Sequence, residues 1–97
     1  SVLNEFNDES VPEHLYAKSI AHFRRGELKK ALEIIDNLIR LVPDDVFFHE
    51  FRGDILLSMA RPDESSLAYE LAIDLRPDSP QILLNYGRKK NFYMTYL

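Results

Sequence analysis

The 97-residue chain contains no cysteine. That excludes a disulfide framework and any thiolate metal site, and redox chemistry gives no compartment. Histidine is scarce, with His14, His22 and His49 the only imidazoles. None has a second histidine four residues away, so the zinc-binding helix face of paired imidazoles is missing, and neither metal nor cofactor is expected. His49 and Glu50 are neighbours in sequence and leave a helix in different directions; His49 reads as a large packing residue near a helix start. No glycine-rich phosphate loop and no Gly-x-Ser-x-Gly elbow occurs. Glu50 and Asp54 are paired carboxylates, with no sign of an apolar pocket that would raise a carboxyl pKa. The chain by itself is not expected to be an enzyme.

Long apolar runs are also lacking. The longest are a few residues, against the roughly 20 that a helical membrane span requires. A net charge of −4 points away from nucleic acid, which calls for a basic face. Ser1 is neither an initiator methionine nor the start of a signal peptide, so the chain reads as a processed product or an excised domain. Its 45% hydrophobic content is that of one small folded domain in which every helix must serve a shared core.

What is present is an internal echo. Shifting the chain by 34 residues places Pro43 on Pro77, Leu41 on Leu75, Asp44 on Asp78 and Ile35 on Tyr69. Leu38 falls on Ala72 and Gly26 on Ala60. A fixed period of this length, closed each time by proline, marks a helix-turn-helix solenoid. The units are residues 12–45 and 46–79, with a partial unit at 80–97.

Taken in order, residues 1–9 carry three acids and no base and read as a flexible lead-in. Ser10-Val11-Pro12-Glu13 is a helix start, with a serine cap, a returning glutamate and a first-turn proline. Leu15, Tyr16, Ser19, Ile20 and Phe23 follow at helical spacing until Gly26. Leu28, Ala31, Leu32, Ile35, Leu38, Ile39 and Val42 form the strongest amphipathic pattern, with Asp36 and Arg40 an i, i+4 ion pair. Pro43 stops that helix, and Asp44 or Asp45 caps the next, on Phe48, Phe51, Ile55, Leu56 and Met59. After a turn at residues 60–63, a fourth helix uses Leu67, Ala68, Leu71, Ala72 and Leu75. A fifth starts at Pro80 with Ile82, Leu83 and Tyr86. Five helices and no strand signal predict an all-α stack.

These units resemble tetratricopeptide repeats over residues 12–90. Gly53, Leu56, Ser65, Tyr69, Ala72 and Pro77 occupy the family's slots in the second unit. Ala31, Ile35, Leu38 and Pro43 do so in the first, where Lys18-Ser19 stands in place of leucine-glycine. Leu83, Tyr86 and Gly87 open a third. The resemblance implies a right-handed α-solenoid of antiparallel helix pairs that binds protein or peptide. Gly53 and Gly87 would admit close helix approach, Ala31 and Ala72 would keep each pair thin, and Tyr69 and Ile35 would fill the space between units.

A second resemblance rests on Phe47-Phe48-His49-Glu50-Phe51-Arg52-Gly53-Asp54-Ile55-Leu56, preceded by Arg24-Arg25-Gly26-Glu27-Leu28. This run is similar to the repeat region that follows the catalytic domain of bacterial M48-type zinc metallopeptidases. It implies a non-catalytic, periplasmic segment that guides substrate or partner. His-Glu-x-x-His is absent here, so no catalytic residue is carried over.

In the repeat family the first helix of each pair lines the concave face. Counting along them places Glu13, Tyr16, Ile20 and Phe23 there from the first unit. Phe47, Glu50, Phe51, Asp54 and Leu57 follow from the second, and Gln81, Leu84, Asn85 and Arg88 from the third. Aromatic rings bordering two acids suit an apolar segment carrying a positive charge. Tyr16, Ile20 and Phe51 equally suit packing between helices. Repeats that grip acidic chaperone tails use lysine, asparagine and arginine on this face, and here those places hold Tyr16, Ile20, Phe51, Gln81 and Asn85. The final Phe92-Tyr93-Met94-Thr95-Tyr96-Leu97 is apolar, which reads as a cut edge or, failing that, as a surface for self-association.

Overall fold

The computed structural model describes residues 2–96, with side chains described for residues 11–88. Five helices follow one another: α1 (Val2–Arg24), α2 (Leu28–Leu41), α3 (Val46–Ser58), α4 (Pro62–Leu75) and α5 (Pro80–Tyr96). No strand occurs among the described residues. Short turns fold α1 against α2 and α3 against α4. The pairs then stack through α2 and α3, and α5 closes on α4. The result is an all-α helical-repeat solenoid measuring 53 × 31 × 17 Å.

Local chemistry explains the boundaries. α1 begins at Val2, ahead of the start predicted at Ser10, and Pro12 lies inside it. Residues 2–11 contain neither glycine nor proline to stop the helix, and Pro12 removes one reaching-back N–H and crowds the carbonyl four residues earlier without ending it. The backbone of residues 2–9 of the expected lead-in is therefore part of α1. The turn after α1 uses Gly26 at φ 77°, and its repeat partner Ala60 takes the same left-handed conformation at φ 58°, where glycine is the easier occupant. The Asp45 carboxylate caps α3, accepting from the amides of Phe47 at 2.9 Å and Phe48 at 3.4 Å.

The main core joins Ala31, Ile35 and Leu38 of α2 to Phe48 and Ile55 of α3, with Leu15, Tyr16 and Phe23 packed on it from α1. A smaller cluster of Val46, Ala72 and Ile82 attaches α5 to the second pair. Ile35 and Tyr69 do bridge units: Ile35 packs among α3 residues, and the Tyr69 ring lies 5.5 Å from that of Tyr86. His49 fills a packing site, with its Nε2–H donating to the Pro43 carbonyl at 2.7 Å.

Three expectations change. Leu67, Leu71 and Leu75 lie on the outward stripe of α4, with the first two 61% and 50% exposed. The buried stripe keeps the expected Ala68 and Ala72 and joins them to Ser65 and Tyr69, because close approach to α3 demands small side chains beside one ring. Asp36 pairs with Arg52 of α3 at 2.7 Å, and Arg40 bonds Asn37; a neighbouring helix outcompetes the partner one turn away. Gly53 is a close-approach site, since a Cβ there would sit 2.7 Å from the Tyr69 ring, whereas a Cβ at Gly87 would meet nothing within 4 Å.

Candidate protein-binding face

The sequence-predicted residues divide into three groups. Tyr16, Phe23 and Phe51 form the seam between α1 and α3. The Tyr16 ring lies 5.1 Å from Phe48 and 5.8 Å, edge-on, from Phe51, and Phe23 meets Phe51 edge-on at 5.3 Å. Offset and edge-on contacts of this kind favour a fixed arrangement. Ile20 is half-buried on the same stretch of α1. These rings pack between helices.

The second group is charged. Glu50 and Asp54 are half-buried on α3, and Asp54 accepts a hydrogen bond from the Tyr69 hydroxyl. Burial pushes the Tyr16 phenol above its ordinary pKa, helped by the negative charges of Asp45, Glu50 and Asp54. The Tyr69 phenol is raised as well, first by burial and then by its bond to Asp54. In both, burial is the first cause and the nearby carboxylates act in the same direction.

The third group is open to solvent. Glu13 is exposed, Phe47 is 53% exposed, and Gln81, Leu84 and Arg88 are exposed along α5, with Leu57 and Asn85 half-buried. Glu13 and Phe47 meet Tyr16 at a cavity of about 540 Å³, completed by Pro12, Val42, Asp45 and Phe48. That volume lies within the range of ligand-binding clefts. The remaining predicted residues are outside the cavity. Sequence reading missed four of the lining residues: Pro12, taken as a helix start, Val42 and Phe48, taken as core residues, and Asp45, taken only as a cap. Val42 and Asp45 flank the turn between α2 and α3. That turn and the start of α3 bring Val42, Asp45 and Phe48 beside Pro12 of the first helix.

The sequence model of the tetratricopeptide repeat family matches residues 16–80. The chain belongs to the tetratricopeptide repeat family. Its members generally mediate protein–protein interaction. The match covers the first unit of this tetratricopeptide repeat chain from residue 16, the whole of the second, and stops at the start of α5. It bears on the repeats alone and lends nothing to the metallopeptidase resemblance. Among the described residues, no cluster of three or more histidine or carboxylate side chains is placed to hold a metal, and no helix is long and apolar enough to cross a membrane. The self-association surface expected at Phe92 to Leu97 lies outside the described side chains.

Proposed function

We propose that this tetratricopeptide repeat chain is an interaction scaffold that holds a partner segment along the face formed by α1, α3 and α5. An apolar side chain of the partner sits in the cavity beside Phe47, with a lysine or arginine next to it. The cavity is the observation that carries this reading. Its wall is largely apolar, from Pro12, Tyr16, Val42, Phe47 and Phe48, and its acids are Glu13 and Asp45. The Tyr16 and Phe48 rings are held by the α1–α3 seam, so the hollow exists before a partner arrives and little ordering is required on binding. Glu50 and Asp54 extend the negative field along α3, which favours a cationic neighbour and repels an acidic tail. Leu57, Leu84, Asn85 and Arg88 carry the face onward.

A display selection of random peptides on the folded chain tests this. The expected consensus is an aromatic or aliphatic anchor flanked by lysine or arginine. Binding should fall about tenfold or more in Phe47→Ala, a loss typical of a central apolar anchor. Glu13→Lys should weaken basic peptides selectively, with helicity by circular dichroism unchanged in both variants. An acidic consensus, or affinity indifferent to Phe47, would overturn the reading.

A further inference from the structure

α4 presents two stripes of different fate. Ser65, Ala68, Tyr69 and Ala72 are buried, while Leu67, Leu71 and Leu75 lie exposed beside them. The leucines recur every fourth residue, so they form one continuous ridge along the helix. Asp63, Glu70 and Asp74 are also exposed, and helical spacing sets them along the edge of that ridge away from Ala68 and Ala72. Among the described residues none of these three acids has an ion-pair partner, whereas Glu64 is held by Arg61 at 2.7 Å.

This face is particular to the second unit. One repeat earlier, α2 has Glu33 and Asn37 where α4 has Leu67 and Leu71, and Lys29 and Arg40 in place of Asp63 and Asp74. A complete unit follows α2, yet Glu33, Asn37 and Leu41 stay exposed. The stack thus leaves the outward side of a second helix open even where another unit is added. The leucine ridge is therefore open whatever succeeds α5. A polar face needs no cover at that place, but three adjoining leucines expose apolar surface that a contact would bury.

We infer that the α4 ridge is a docking surface for a basic amphipathic helix of a partner protein. The partner's apolar side chains pack among Leu67, Leu71 and Leu75, and lysine or arginine along one edge faces Asp63, Glu70 and Asp74. Charge selects this occupant. α4 contains no lysine or arginine, so a second copy pairing through the same ridge brings no cation to the acids. The α2 face of a second copy does carry Lys29 and Arg40, but Glu33 and Asn37 would then lie on the leucines. An anionic membrane surface is repelled by the same acids. The ridge shares no residue with the cavity beside Phe47 and does not depend on it.

A displayed library of helix-constrained peptides, randomised along one face and its edges, serves as the probe. It is selected on the whole 97-residue chain and depleted on Leu71→Lys, which removes binders of other surfaces. Enriched helices should carry an apolar stripe edged with lysine or arginine, and their amide shifts by NMR should cluster on residues 63–75. Affinity should fall about tenfold or more with Leu67→Ala, as for loss of a central anchor. The double variant Glu70→Lys, Asp74→Lys should lose about three- to tenfold and most of the salt dependence, because two rim ion pairs become repulsions. These positions are exposed, so helicity should be unchanged in each variant, and Phe47→Ala should bind as the parent does. No enriched helix, an edge without basic residues, or unchanged affinity in Leu67→Ala or the double variant would overturn the inference. So would a dimer in light scattering that Leu71→Lys converts to monomer, which would give the ridge to a second copy.

Discussion

Gly53 and Gly87 occupy the same place in successive units and meet opposite surroundings, one pressed under the Tyr69 ring and one facing open space. Substitution by alanine therefore has opposite signs. Overpacking at Gly53 costs about 1–3 kcal/mol, and better helix propensity offsets up to about 1 kcal/mol of it. Gly53→Ala should destabilise the fold by about 1–2 kcal/mol in urea denaturation, whereas Gly87→Ala should stabilise it by about 0.5–1 kcal/mol. The Tyr16 and Tyr69 phenols give a second test. Both hold their protons more tightly folded than unfolded. As pH rises past about 10, the unfolded chain releases protons that the folded chain retains, so the stability these groups contribute below that pH is progressively lost. Urea midpoints should hold up to about pH 9 and fall as pH rises past about 10. Tyr69→Phe should flatten that fall, and an unchanged slope would mean its phenol is not held by burial and Asp54.

At the scale of helices, hydrophobic period identified every element but not always its buried side. α2 follows its apolar pattern, with Ala31, Ile35 and Leu38 fully buried. In α4 the leucines point outward, and small residues around Tyr69 face α3. Leucine outranks alanine in hydrophobicity, but the narrow space between paired helices selects by size. Leu71→Lys should accordingly change stability by no more than about 0.5 kcal/mol, while the neighbouring Ala72→Leu should cost about 1–3 kcal/mol by overpacking. Thermal or chemical melts of the two variants compare them directly. Equal losses would return Leu71 to the core. The start of α1 was misplaced for a related reason: Ser10 and Pro12 form a valid first turn, yet nothing in residues 2–11 prevents helix upstream of it. Asp36 likewise found Arg52 across the pair boundary, a partner that spacing along one helix does not reveal.

For the whole molecule, the period and the two closing prolines made the tetratricopeptide architecture legible before any coordinate, because each unit repeats the same packing problem. The cavity was legible only in part. Glu13, Tyr16 and Phe47, read as concave-face residues, do meet there, but Pro12, Val42, Asp45 and Phe48 complete the cavity, the last three from a turn and helix far along the chain. Tyr16, Phe23 and Phe51 serve the α1–α3 seam, an arrangement set by how the helices cross rather than by their spacing. The central claim is that a basic, apolar-anchored segment enters the cavity beside Phe47. The most direct measurement is a titration of the display-selected peptide followed by backbone-amide NMR. The account predicts shifts at Glu13, Tyr16, Val42, Asp45, Phe47 and Phe48, absent in Phe47→Ala. Shifts centred instead on the outward leucines of α4, with the cavity amides unmoved, would contradict it.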